Sequence, residues 1–115
     1  MTKAILPLSP TDFHILLVLA KQDLYGYAIQ KALLEESGGT VAPEIGSLYR
    51  ALARLMAAGL VEEAESPGDA PDSSRGRPRR YYHLTAAGAE TLEADARRLQ
   101  GAVEIARERR VLGST

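Results

Sequence analysis

Residues 45–65, which read IGSLYRALARLMAAGLVEEAE, decide the fold of this 115-residue chain. Leu48, Leu52 and Leu55 recur at spacings of four and three, the pattern of a helix that buries one face. Gly59 is expected to end this helix, because glycine adopts the left-handed cap conformation without a steric penalty. The pattern predicts a helix over 44–58 and a short edge strand over 60–65.

Two helices are predicted upstream of this stretch. The first begins at Pro10, with Ser9 as its N-cap, and carries a wide apolar stripe that ends near Ala20. The second opens at Leu24 and runs to about residue 37, where the pair Gly38–Gly39 stops it. We expect Tyr27 to belong to the buried face of the second helix.

Downstream, residues 66–78 contain three prolines, two glycines and two aspartates, and are therefore predicted to be a loop. Residues 79–84 form the predicted return strand of a hairpin. Thr85 is a natural N-cap for a final helix that extends from Ala86 to about Leu112. In that helix an apolar heptad stripe is formed by Leu92, Ala96, Leu99, Val103 and Ala106.

The order helix, helix, helix, strand, hairpin loop, strand, helix predicts a mainly α fold with a small β-wing. We assign residues 1–85 to a winged helix-turn-helix and residues 86–115 to a long C-terminal dimerisation helix, the two forming one compact unit. A final helix of about 38 Å would extend beyond a three-helix core. Its stripe would then need an outside surface, and a second copy of the chain is the simplest source.

The net charge of the chain is −1, but the charges are unevenly distributed. Residues 62–74 hold five acids and no bases, whereas residues 75–84 hold four arginines and no acids. Phosphate binding depends on the local potential within a Debye length of about 8–10 Å, not on the sum over the chain. The planar guanidinium fork matches phosphate oxygens in two-point contact. The hairpin is therefore predicted to bind the backbone of duplex DNA.

The third helix would supply the other half of the DNA surface, because the N-terminal half of a recognition helix enters the major groove. Arg50 could reach a guanine edge, and Ser47 could bond a base or a phosphate. The predicted DNA contacts are Ser47, Tyr49, Arg50, Arg54, Arg75, Arg77, Arg79 and Arg80. Alternatively these are solvated helix residues, a packing tyrosine and wing cations, with Arg80 paired to Glu62 or Glu63. Lys31 could also touch the backbone.

Several function classes are excluded or disfavoured. The chain has no cysteine, so disulfides and thiolate metal sites are excluded. His14 and His83 are interpreted as partly buried residues, and we predict no metal site, no cofactor and no catalytic residue. The longest apolar run is too short to cross a bilayer and no export signal is evident, so we expect a cytoplasmic protein without a membrane partner.

The residues resemble the PadR family of bacterial transcriptional regulators. The resemblance is carried by residues 24–29 (LYGYAI), 46–55 (GSLYRALARL) and 79–88 (RRYYHLTAAG), and it extends over about residues 12–106. It implies a homodimeric winged-helix repressor whose last helix forms most of the dimer interface. With one helix after the wing, the chain resembles the short subfamily. The long wing loop, acidic at its start, and the lack of evident ligand-stacking aromatics depart from the family pattern.

The sequence thus predicts a sequence-specific DNA-binding regulator, a repressor that binds an inverted-repeat operator as a homodimer. The resemblance also implies release by a small hydrophobic or aromatic effector. Two alternatives stay open: a winged-helix module for protein–protein contact, and a small-molecule-binding dimer without operator function.

Overall fold

The computed structural model describes residues 6–65 and 80–113, and these contain four helices and three short strands. In chain order they are α1 (Pro10–Lys21), β1 (Leu24–Tyr25), α2 (Gly26–Glu36), α3 (Ile45–Ala57), β2 (Val61–Ala64), β3 (Tyr81–Leu84) and α4 (Ala86–Glu108). The mainly α architecture with a small antiparallel sheet confirms the predicted winged helix-turn-helix fold. Within the described ranges, no helix is both long and apolar enough to cross a membrane.

The sheet has the strand order β1–β3–β2, with β3 antiparallel to both neighbours. The prediction that the second helix opens at Leu24 was wrong. Leu24 pairs with Tyr82, and Tyr25 pairs with Tyr81. Leu24 and Tyr25 therefore form strand β1, and α2 starts at Gly26. A two-residue strand has no periodicity of its own, and it is tertiary pairing with β3 that creates it.

The core lies between α1, α2, α3 and the sheet. The leucines predicted for α3 are all buried, which confirms the helical period of the opening stretch. The buried hydrophobic residues also include Ile15, Leu16, Val18, Leu19, Ile29, Leu33 and Tyr82. Tyr27 is 62% exposed, so the expectation that it faces the core was wrong. Ile29 and Leu33 were predicted for the buried face of α2 and are buried, whereas Leu34, predicted for the same face, is 50% exposed.

Side-chain caps fix the starts of α1 and α4. Ser9 Oγ accepts from the backbone N–H of Asp12 at 3.1 Å, and Thr85 Oγ1 accepts from the N–H of Gly88 at 2.9 Å. Thr85 also donates its hydroxyl to the carbonyl of Gly59 at 2.7 Å. These bonds satisfy backbone donors that a helix start leaves unpaired, and the Thr85 bonds tie α4 to the end of the α3 segment.

Helix α4 ends at Glu108, four residues before the predicted end at Leu112. Arg110 follows in the left-handed conformation (φ 60°), and the N–H of Val111 donates to the carbonyl of Ala106 at 2.9 Å. This is the backbone pattern by which many helices stop, usually with glycine at the left-handed position. The 23 residues of α4 span about 35 Å at 1.5 Å per residue.

Candidate nucleic-acid interface

The exposed side of α3 carries the two residues expected to read bases. Arg50 Nη2 donates to Ser47 Oγ at 3.1 Å, so the two side chains lie together one turn apart. Arg50 is exposed and Ser47 is half-buried. The guanidinium retains further N–H groups, enough for a two-point contact with a guanine edge.

Tyr49 connects α3 to the start of α2. Its ring lies directly over Gly26, where a Cβ atom would overlap the phenol hydroxyl and ring. Glycine at position 26 is therefore needed for this close approach, which explains the glycine between the two tyrosines of the LYGY stretch. Tyr49 is 42% exposed, so its hydroxyl is placed at the margin of the α3 surface.

Arg80, at the base of the wing, lies beside the same cluster. Its Nε atom is 3.4 Å from Glu63 Oε2 across the β2–β3 pair. The Tyr82 hydroxyl, the Glu63 carboxylate and, more weakly, Tyr49 raise the pKa of the Arg80 guanidinium. Burial raises the pKa of Tyr82, against the opposite effect of Arg80. The wing base adjoins the start of α2, because Tyr81 of β3 pairs with Tyr25, and the start of α2 lies under Tyr49 of α3.

Arg54 differs from Arg50 because it is paired with an acid on another helix. Its Nη2 atom donates to Asp12 Oδ1 at 2.7 Å, and the two side chains are 60% and 14% exposed. Asp12 lies in the first turn of α1, where the helix dipole favours a carboxylate. This contact joins α1 to the C-terminal half of α3.

Arg75, Arg77 and Arg79, the other predicted wing contacts, lie outside the described residues. Arg80 is thus the wing arginine whose position the structure gives. Its pairing with Glu63 is one of the two arrangements that the sequence left open.

Two further exposed residues lie near this surface. Tyr27 follows Gly26 at the start of α2 and is largely exposed, and Lys31 lies one turn further along the same helix and is also exposed. Neither is among the eight predicted contacts.

The opposite face of the sheet is organised around His83. Its Nδ1 atom lies 2.8 Å from Asp23 Oδ1, and its Nε2 atom lies 4.0 Å from Glu62 Oε2. The hydrogen bond to Asp23 raises the pKa of His83, with both nearby carboxylates adding to the effect. His83 and Glu62 occupy paired positions, one residue along from the Tyr82–Glu63 pair, so they face away from Arg80.

The residues of the predicted dimerisation stripe of α4 differ in burial. Leu92 is 8% exposed and packs in the protomer's own core, and Ala106 is half-buried. Ala96, Leu99 and Val103 are exposed on the part of α4 that extends beyond the core. Asp95, between Leu92 and Leu99 on α4, is buried and accepts a hydrogen bond from Arg98 Nε at 2.7 Å.

A cavity of about 500 Å³ lies between α1, β1 and α2. Its apolar surface comes from Val18, Leu24, Ala28 and Ala32, with Tyr25 and Tyr27 at one side. Lys21 and Lys31 also line it, together with Glu35 and Glu36 near the end of α2. The lining of the cavity therefore combines apolar side chains with charged groups of both signs.

The fold and this surface define the chain as a winged helix-turn-helix protein. Comparison with protein-family models matches residues 15–94 to the Transcriptional regulator PadR-like family. Because the match covers more than half of the chain, the protein belongs to this family, whose members are transcriptional regulators and not enzymes. The resemblance noted in the sequence is thereby confirmed.

The chain is also similar to a curated relative and to two solved structures. An uncharacterized 37.1 kDa protein in transposon TN4556 of Streptomyces fradiae is 45% identical over 92 residues, which are 77% of this chain and 24% of that protein. The chain thus spans about a quarter of the length of that relative. A PadR family transcription regulator from hypervirulent Clostridium difficile is 28% identical, with a TM-score of 0.69 over 87% of this chain and 97% of that chain.

The second solved structure is Bacillus subtilis PadR in complex with operator DNA. It is 24% identical, with a TM-score of 0.58, and the match covers 72% of this chain and 44% of that chain. At this identity the likeness shows that the two proteins share a fold.

Proposed function

We propose that this chain is a sequence-specific DNA-binding regulator, a repressor that binds an inverted-repeat operator as a homodimer. The observation that carries the proposal is the meeting of three elements at one surface. Tyr49 of α3 lies over Gly26 at the start of α2, and Tyr25, the residue before Gly26, pairs with Tyr81 of β3, next to Arg80 at the base of the wing. An anion-binding wing and a groove-reading helix must face the same way to bind one duplex, and this packing supports that condition.

The residues of this surface are assigned different roles. Arg50 and Ser47 read base edges in the major groove, because they lie in the N-terminal half of α3. Tyr27, Tyr49 and Lys31 contact phosphates from the α2 side. Arg54 and Arg80 contact phosphates at the C-terminal half of α3 and at the wing base. Arg75, Arg77 and Arg79 extend the contact along the wing to the backbone or the minor groove.

The dimer is inferred from α4. Leu99 and Val103 expose apolar side chains on the part of the helix that lies beyond the protomer's core, four residues apart on one stripe. Packing this stripe against a second copy would remove it from water and would relate two recognition helices by a two-fold axis. Residues 86–115 are accordingly proposed as the dimerisation segment, and residues 1–85 as the DNA-binding segment of one compact unit.

Footprinting on the DNA upstream of the chain's own gene tests the function. We expect a protected inverted repeat whose half-sites are about 34–36 Å apart, one helical turn of DNA. Transcription in vitro from that promoter should fall when the protein is added. Protection of one asymmetric half-site would contradict the dimer. Binding that is absent at low salt would favour the protein–protein contact module instead.

An effector is a further part of the proposal. The cavity between α1 and α2 is lined by Tyr27 and Lys31, which are also assigned to phosphate contacts, so a ligand there would compete with DNA for these two side chains. Calorimetric titration with planar aromatic compounds, with and without operator DNA, would test this. Binding that DNA does not weaken would favour a small-molecule-binding dimer without operator function. The proposed role places the protein in the cytoplasm with the chromosome.

A further inference from the structure

Two of the three described arginines on the proposed DNA surface carry a carboxylate from another element. Arg54 on α3 donates to Asp12 on α1 at 2.7 Å, and Arg80 lies 3.4 Å from Glu63 on β2. Arg50 is held instead by the neutral hydroxyl of Ser47. Within residues 6–65 and 80–113, no carboxylate pairs with the arginine assigned to base reading, whereas the two assigned to phosphates are each paired with one.

A carboxylate and a phosphate present similar oxygen acceptors to a guanidinium group, so each acid occupies the position that a DNA phosphate would take. Both pairs are largely solvent-exposed on the arginine side, at 60% for Arg54 and 63% for Arg80. The Glu63 side chain is 54% exposed, and exposed ion pairs contribute little to stability, so phosphate can replace this carboxylate at low cost. Asp12 is only 14% exposed, so its release depends on other support for its charge. The acid must then move aside while it retains its charge.

Asp12 is suited to such an exchange. It occupies the first turn of α1, and its backbone N–H is already bonded to Ser9 Oγ. The positive end of the α1 dipole favours the ionised carboxylate there even without Arg54. Losing the arginine to DNA therefore leaves neither an unstable charge nor an uncapped helix.

We propose that Asp12 and Glu63 act as internal substitutes for phosphate, which compete with DNA for Arg54 and Arg80 and thereby limit the affinity of the protein for DNA. The inference rests on the proposed function. The two acids set how tightly the protein holds any duplex, while Arg50 sets which sequence it prefers. A regulator with a net charge of −1 thereby keeps its cationic surface from binding non-operator DNA strongly.

The test is a double-mutant cycle measured by fluorescence anisotropy with a short operator duplex. Asp12→Asn should tighten binding by about 3- to 10-fold, because it frees Arg54 for one further phosphate contact. One such contact changes the affinity by roughly tenfold when the salt concentration changes tenfold. The same change in an Arg54→Gln background should have no effect. Glu63→Gln should give a smaller gain, since its pair is longer and more exposed, and the gain should disappear in Arg80→Gln.

Glu62→Gln is the matched control. It removes the same charge from the neighbouring residue of β2, but its side chain faces His83 on the other side of the sheet. We expect its affinity to match that of the wild type. Thermal melting of each variant would check that the fold is retained, and the conservative changes keep side-chain size nearly constant.

Other outcomes overturn the inference in distinguishable ways. A gain for Asp12→Asn that persists in Arg54→Gln would mean simple repulsion between the acid and DNA. Unchanged or weaker binding would mean that Asp12 positions Arg54 for DNA and does not compete for it. An equal gain for Glu62→Gln would reduce the effect to net charge. If the wild type bound no DNA at low salt, the proposed function itself would fail, and this inference would fail with it.

Discussion

The proposed DNA surface and the projecting end of α4 are both exposed, but their side chains are positioned by different contacts. At the first, side chains from α1, α2, α3 and the wing base contact one another across elements, as in the pair Arg54–Asp12. At the second, the ion pair Arg97–Glu93 lies within a single helix, and Leu99 and Val103 have no core behind them. The first surface is therefore organised within the protomer, whereas the second would be completed only by the proposed second copy of the chain.

This difference separates what each surface requires. The described residues of the proposed DNA surface are positioned when the chain folds, so mutations there should change affinity and leave the fold intact. The α4 stripe would contribute to stability only in the proposed dimer, because an exposed apolar side chain stabilises nothing until it is buried. Mutations in the stripe should therefore act on assembly first and on DNA binding as a consequence.

The largest expected effect comes from breaking the dimer. Val103→Glu places a charge in the stripe and should convert the dimer to a monomer in light scattering. Linked binding of two half-sites exceeds single-site affinity by about 10²–10⁴-fold, and we expect operator affinity to fall within that range. Folding of the monomer should persist, since Val103 is 44% exposed and outside the core.

Ile105→Glu is the control for this prediction. Ile105 is as exposed as Val103 but lies two residues along, off the heptad stripe. It should leave both the dimer and operator affinity unchanged. Equal dissociation by the two variants would show that the stripe is assigned to the wrong face of α4.

The junction between the two regions gives the next largest effect. Gly88 lies in the first turn of α4 directly against the carbonyl of Leu60, where an added Cβ would overlap backbone. Gly88→Ala should lower the free energy of unfolding by about 1–3 kcal/mol, measured by urea denaturation. Gly101→Ala, in the same helix with open space around it, should instead raise stability by up to about 1 kcal/mol. Stabilisation by both changes would show that helix propensity outweighs the contact between Gly88 and Leu60.

The sequence predicted the long elements and failed where neighbours decide the structure. The period of Leu48, Leu52 and Leu55 gave α3 to within one residue at each end, because a buried helix face imposes its spacing on the sequence. Leu24 and Tyr25 were assigned to a helix, since only pairing with β3 shows that they form a strand. Tyr27 was assigned to the core because it is aromatic, but it is exposed. The aromatic character of a side chain does not show which way it points from the helix.

The candidate site shows the same division. Ser47 and Arg50 could be grouped from the sequence, because three residues along a helix is a local relation that the structure confirms at 3.1 Å. The pairing of Arg54 with Asp12 spans 42 positions and depends on how α1 crosses α3, which no local pattern contains. The approach of Tyr49 to Gly26 is likewise a tertiary contact that the sequence does not predict, although the sequence does show a glycine at position 26.

Within the DNA-facing surface, Arg50 and Arg80 should separate base reading from phosphate binding. Arg50→Ala should reduce discrimination between operator and scrambled DNA by about 1–3 kcal/mol, the range for a two-point base contact. Arg80→Ala should weaken both duplexes equally and lower the slope of log K against log salt by about one unit. Salt titrations on the two duplexes measure both quantities. If the variants behave alike, the two roles cannot be divided between α3 and the wing base.

The smallest expected effect concerns the face of the sheet that points away from Arg80. Asp23 raises the pKa of His83 in the folded state, so the protonated imidazole stabilises the fold. That contribution is fully present below the unfolded pKa of about 6.5 and is lost as the pH rises through the folded value. Because His83 is nearly half exposed, the loss should be about 0.2–1 kcal/mol. Urea denaturation at pH 5.5 and pH 8.5 should show this difference between the wild type and His83→Gln, while operator affinity at the two pH values stays equal in both proteins. A pH-dependent affinity that His83→Gln removes would mean that the two faces of the sheet are coupled, and the separation between them would have to be abandoned.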